Sequence, residues 1–210
     1  MMKKISLLIC ASVLSGCSLL TQDEPLPLYT LKSGPIEPFQ IFPDSLAVEM
    51  PVSETSLDTE RMALTPAPYE RDYLAGGQWP ERLPKILQEV LLQSLSERWG
   101  GGHVSRTGTG LEMKYLLQTD VQDFSVYHLN TASPEVQQKI AFKIINLRER
   151  KVVAGQTFYM KEKVCISSMK GIVESFNKGL HSLLQQAMPW IEGEILKESA
   201  LNARNDKLGR

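Results

Sequence analysis

The chain lacks most of what catalytic and metal-binding proteins need. It has three cysteines and three histidines in 210 residues. None of them stand at a metal-ligand spacing, and there is no Cys-x-x-Cys pair, which argues against a zinc site or a dithiol redox centre. Long hydrophobic runs are also lacking. The apolar stretch at residues 5–14 is only half of the roughly 20 residues that cross a bilayer. Neither sign of charge dominates. Lysine and arginine number 23 and the acids 24, a formal net charge of −1. There is no basic excess for nucleic acid or an anionic surface.

The common chemical motifs are missing too. There is no G-x-S-x-G nucleophile elbow, and Ser167-Ser168 has no paired base. The run "GGGHVSRTGTG" follows a helix and opens a strand, whereas a phosphate loop follows a strand and opens a helix. Asp120 and Asp123 sit three apart on a strand, a spacing that sends them to opposite faces. "KEK" at 161–163 reads as a solvated edge that discourages aggregation. These absences point to a protein that is not an enzyme and implies no cofactor or metal.

What is present begins at the front. Lys3 and Lys4 precede the short apolar run, and "LSGC" ends it. A basic start, a short apolar core and small residues at a cut make a secretory leader. Leu14-Ser15-Gly16-Cys17 resembles the bacterial lipobox, in which the cysteine is acylated and becomes the first mature residue. Residues 1–16 are thus expected to be removed, taking the net charge from −1 to −3 with the two lysines. Each buried CH₂ contributes about 0.8 kcal/mol and two chains already hold stably, so an acylated Cys17 is a firm anchor. Ser18, rather than Asp, points to the outer membrane. With Cys10 cut away and Cys17 acylated, Cys165 is alone, cannot form an internal disulfide, and is expected to be a small buried hydrophobe.

Residues 17–28 read as a lipidated tether, stiffened by Pro25 and Pro27, with a reach of about 35 Å. Residues 29–198 suit one domain and 199–210 a polar tail. Tyr29 to Leu31 is a short strand candidate. "SLAVEMPV" alternates as a half-buried strand. "ERMALTPAPYERDYL" reads as one or two more strands, ended by Gly76-Gly77. From Trp79 to Trp99, apolar residues recur at helical steps. Pro80 suits the first turn and Pro84 is less comfortable; Gly100 to Gly102 supply the stop. Three long strands follow as an antiparallel meander around residues 115–164. A second helix starts at Ser167 or Ser168, with Pro189 expected to kink or restart it. The expected fold is α+β in two layers, a mainly antiparallel sheet with two long helices on one face.

Several motifs in this order resemble the ABC-type transport auxiliary lipoproteins, a PqiC-like family associated with MCE-type lipid transport. They are the lipobox ending in Cys17, "PLYTL", "SLAVEMPVSETSLDTERMALT" and "APYERDYLAGGQWPERLPKIL". In the last of these, Tyr69 and Tyr73 match a tyrosine-bearing strand and Trp79 a tryptophan that opens the first helix. The chain departs from the family at Leu57-Asp58-Thr59-Glu60-Arg61, where Leu-Asp-Arg is common. The resemblance implies a non-enzymatic docking component on the periplasmic face of the outer membrane. Its partner would be an MCE-domain protein, and self-association fits such a role. Tyr69, Tyr73 and Trp79 read either as core or as a partner surface. Two other readings stand beside this one, a lipoprotein that assists outer-membrane protein assembly and a small periplasmic hydrolase.

Overall fold

A computed structural model describes residues 25–38, 42, 44–100 and 102–208. The expected leader, Cys17 and the expected tether up to residue 24 lie outside the described residues.

Eight strands and two helices follow one another in the order β1 (Leu46–Val48), β2 (Val52–Ser53), β3 (Arg61–Thr65), β4 (Asp72–Gln78), α1 (Leu83–Trp99), β5 (Val104–Arg106), β6 (Tyr115–Tyr127), β7 (Glu135–Asn146), β8 (Lys151–Lys163) and α2 (Met169–Leu208). This is an α+β fold. Its strands form one curled sheet built around β6. On one side β6 pairs antiparallel with β7, and β7 with β8, the meander expected from the alternating sequence. On the other side the chain from Leu46 to Thr65 runs alongside β6 in the same direction, touching it in three short parallel strands, β1, β2 and β3. The sheet is therefore mixed, a feature not anticipated from the sequence. The alternation in "SLAVEMPV" marks a strand but neither its partner nor its direction, and β1 is buried on both faces instead of half-buried.

Inward-facing residues of the meander, among them Tyr115, Leu117, Val121, Phe124, Ile140, Phe142 and Ile144, join the apolar stripes of both helices in one core. Helix α1 begins at Leu83, so Pro84 and not Pro80 occupies its first turn. No side chain caps it. Instead the Leu83 N–H donates to the Thr59 carbonyl at 3.1 Å. Gly100 ends it at φ +73°. Helix α2 is capped by Ser168, whose hydroxyl accepts from the Gly171 N–H at 3.2 Å. It then runs 40 residues, through Pro189 and on to Leu208. The stretch read as a polar tail is helical over most of its length.

Two glycines expected to end a strand lie inside β4 instead. A Cβ on Gly76 would stand 2.8 Å from the Met169 Cγ, and one on Gly77 would stand 2.5 Å from the Tyr29 ring. They are glycines because other chain segments cross there. Cys165 also departs from expectation. It is exposed, in the turn between β8 and α2.

Residues 27–38 form a strap laid along both helices. The Pro27 carbonyl accepts from the Gln78 N–H at 3.1 Å and the Tyr29 N–H donates to the Gln78 carbonyl at 2.9 Å. Asn177 Oδ1 accepts from the Lys32 N–H at 2.7 Å. His181 Nδ1 meets the Ser33 carbonyl at 2.7 Å, and Arg98 donates to the Glu37 carbonyl at 3.0 Å. Residue numbers rise together along the strap and both helices, so all three run the same way.

Candidate docking surface

The sequence candidates separate by depth. Trp79 is core. It is 1% exposed, with its ring edge-on to Phe176 at 5.5 Å and to Phe124 at 6.3 Å, while those two stack at 4.8 Å. Tyr73 is half-buried. Its hydroxyl donates to the Ser56 carbonyl at 3.2 Å, and the Arg61 guanidinium lies 3.8 Å from its ring centroid. Arg61, offset in sequence from the usual Leu-Asp-Arg spacing, thus has a defined partner. Tyr69 is fully exposed in the β3–β4 turn at φ +69°. A bulky residue in left-handed backbone costs energy and is uncommon outside sites that use it. The three aromatics do not form one patch.

Around Tyr73 the uncovered face of the sheet carries a polar cluster that sequence reading missed. Arg71 donates to Ser125 Oγ at 2.5 Å, to Thr65 Oγ1 at 3.2 Å and to Glu54 at 2.9 Å. Next to it, the Tyr127 hydroxyl donates to Asp123 Oδ2 at 2.8 Å. Burial first, and then the Asp123 carboxylate, raise the Tyr127 pKa above its ordinary value. Asp120 and Asp123 share this face, contrary to the spacing argument. A β-bulge after Val121 inserts Gln122, so Asp120 sits opposite Ala141 and Asp123 opposite Lys139. One extra residue resets the alternation.

Toward the middle of the same face, a groove of about 590 Å³ is lined by Met50, Val52, Gln118, Asp120, Lys143 and Thr157. Val52 and Met50 are exposed apolar residues on its rim. Tyr159 and Lys161 line the outer edge, where the Tyr159 hydroxyl donates to Gln137 at 2.6 Å and Lys161 pairs with Glu135 at 3.2 Å. Strand β8 has no partner on its free side among the described residues. This face offers mixed charge, a shallow apolar groove and an edge strand.

The opposite end of the domain holds a larger cavity, about 900 Å³, lined by Ser45, Lys114, Asn146, Lys151, Ser199 and Asn202 among others. Ser199 Oγ accepts from Lys114 Nζ at 3.0 Å, meets the Tyr115 hydroxyl at 2.9 Å and donates to Asp44. A serine–lysine pair works as nucleophile and base only when the amine is neutral. Burial opposes the Lys114 charge, but the hydrogen bond and attraction of Asp44 outweigh it and raise the pKa. The lysine stays charged, and the cluster ties the segment before β1 to β6 and α2. His103, His128 and His181 lie apart, and no group of metal-ligating side chains occurs among the described residues. No described helix is long and apolar enough to cross a membrane.

The family described as ABC-type transport auxiliary lipoprotein component matches residues 29–187. Among solved structures, protein XCC0632 from Xanthomonas campestris superposes with a TM-score of 0.69 at 16% identity, covering 83% of this chain and 97% of its own. A second crystal structure, of an uncharacterized protein, gives a TM-score of 0.62 at 17% identity, covering 82% of this chain and 99% of its own. At these identities the likeness is one of fold alone. No protein of curated function matches.

Proposed function

Because the chain belongs to the family of ABC-type transport auxiliary lipoprotein components, we propose that it is the anchored docking component of an MCE-type lipid transport system. The observation that carries this reading is the family match from residue 29 to 187, which begins where the tether ends. In this reading Cys17 is acylated, with palmitate among its chains, and fixes the domain to the periplasmic face of the outer membrane. Multiple acyl chains make release negligible. The helix-covered side holds the domain rigid. The uncovered sheet face, from Tyr69 and Arg71 to the groove at Val52, takes the end of an MCE-domain protein. The work of transport comes from ATP hydrolysis elsewhere in the system. The chain itself contributes position, which agrees with the charged state of Lys114 beside Ser199.

Photo-crosslinking in cells tests this. A crosslinking side chain at Tyr69 or Lys143 of the acylated protein is expected to capture an MCE-domain protein. Adducts only to outer-membrane barrel-assembly proteins, or none from either position, overturn the reading.

A further inference from the structure

We infer that the end of the domain where the tether enters also rests directly on lipid, through Leu26, Leu28 and Ile166. This rests on acylation of Cys17. Leu28 is 61% exposed and Ile166 63%, and Leu26, two residues before Leu28, is exposed as well. Backbone geometry brings them to one end. Leu28 bridges to Gln78 at the close of β4. In the preceding residues of β4, Gly77 makes room for the Tyr29 ring and Gly76 for Met169, the first residue of α2. Ile166 folds back over that first turn, against Gly171. Next to Ile166 in sequence, Ser167 lines a shallow hollow together with Leu74, Leu129, Asn130, Met169 and Ile172. Lys163 and Lys170 flank Ile166 in sequence without ion pairs among the described residues, and Glu162 and Glu174 are the unpaired acids near them.

The occupant follows from where the chain leads. Nine residues, 18–26, separate Cys17 from Pro27, whose carbonyl is, among the described residues, the first backbone group bound to the sheet. Fully extended they span at most about 35 Å. The exposed leucines flank that attachment point, so they are the folded part of the chain nearest the bilayer along the polypeptide. A short leash raises the effective concentration of the tethered end to the millimolar range. Apolar contacts too weak to hold a free protein on a membrane then suffice to orient a tethered one. The lipid surface that holds the acyl chains is therefore the partner of this end, and the sheet face is turned to the side.

Cys165 gives a natural probe, because it is exposed and adjacent to Ile166. The acylated protein would be labelled at Cys165 with an environment-sensitive fluorophore and reconstituted into phosphatidylethanolamine–phosphatidylglycerol vesicles carrying spin-labelled lipid. The label is expected to shift to the blue and to be quenched. A Leu28→Asp/Ile166→Asp variant, shown folded by circular dichroism and still floating with vesicles, is expected to lose both signals. A label at Leu147→Cys in a Cys165→Ser background, at the opposite end, is expected to stay unquenched. If the floating protein shows the same emission at 165 as at 147, the lipid contact is wrong and the anchor stands. If the protein is unacylated and does not float, anchor and contact fall together.

Discussion

Alternate residues of β6 live in different surroundings. Leu117, Val121 and Phe124 are sealed beneath the helices, while Gln118, Asp120 and Asp123 face the uncovered side. The covered side is apolar and closed by a few deep polar ties. Glu192 is the chief one. It takes a bidentate hydrogen bond from Arg98, with the Nη2 contact at 2.8 Å, and another from the Trp99 indole at 2.6 Å. Phe42 stacks on Trp99 at 4.0 Å. The uncovered side carries ion pairs that are mostly half-exposed, worth about 0–1 kcal/mol each. Stability is concentrated on one side of a single sheet, which leaves the other free to be shaped for a partner.

The contrast can be broken most forcefully at Trp79. Trp79→Ala is expected to cost about 3–5 kcal/mol, the range for large-to-small core changes, read as a lowered urea midpoint. Glu192→Ala leaves the half-buried Arg98 with its bond to the Glu37 carbonyl but removes the acceptor of the buried Trp99 indole N–H, and should cost about 1–3 kcal/mol; Glu192→Gln, which can still accept from Trp99, should recover part of that in the same titration. Ser168→Ala removes the α2 cap, for about 1 kcal/mol, measurable as a shift in Tm.

Acid provides a gentler probe. The hydrogen bond from Lys151 leads the causes that hold the Glu198 carboxyl below its ordinary 4.5. Its contribution is therefore present above about pH 4.5 and lost as pH falls through the lower folded value. Lys151→Ala should move the acid-unfolding limb to higher pH, and added salt should shrink the difference. Smallest of all, Tyr69→Ala should leave stability within about 0.5 kcal/mol while lowering the yield of partner crosslinks. A large stability loss there would erase the distinction between the two faces.

Much of this division was legible in the sequence. The helical stripes, the meander and the Ser168 cap all write themselves in local periodicity or local hydrogen bonding. What escaped was set by contacts between distant segments. Gly76 and Gly77 look like strand ends until Met169 and Tyr29 are seen to cross them. The parallel strands β1 to β3 are too short to signal a partner. The bulge at Gln122 cannot be read without its opposing strand, and spacing alone sends Asp120 and Asp123 to different faces. Trp79 could be core or surface by sequence, and only Phe124 and Phe176 decide it. Cysteine as a residue type favours the interior, yet the turn that carries Cys165 is solvated. The polar cluster centred on Arg71 gathers groups from four separate segments, and no spacing announces it.

The strap between residues 27 and 38 enters beside Gln78 and runs in the same direction as both helices. In the proposed acylated state, a pull on the chain before residue 27 therefore acts along the strap's length. Its hydrogen bonds to Gln78, Asn177, His181 and Arg98 are loaded together in shear, instead of being peeled open one after another. A domain fastened this way is expected to resist a pull on its N-terminal end better than one whose strap is peeled from one end.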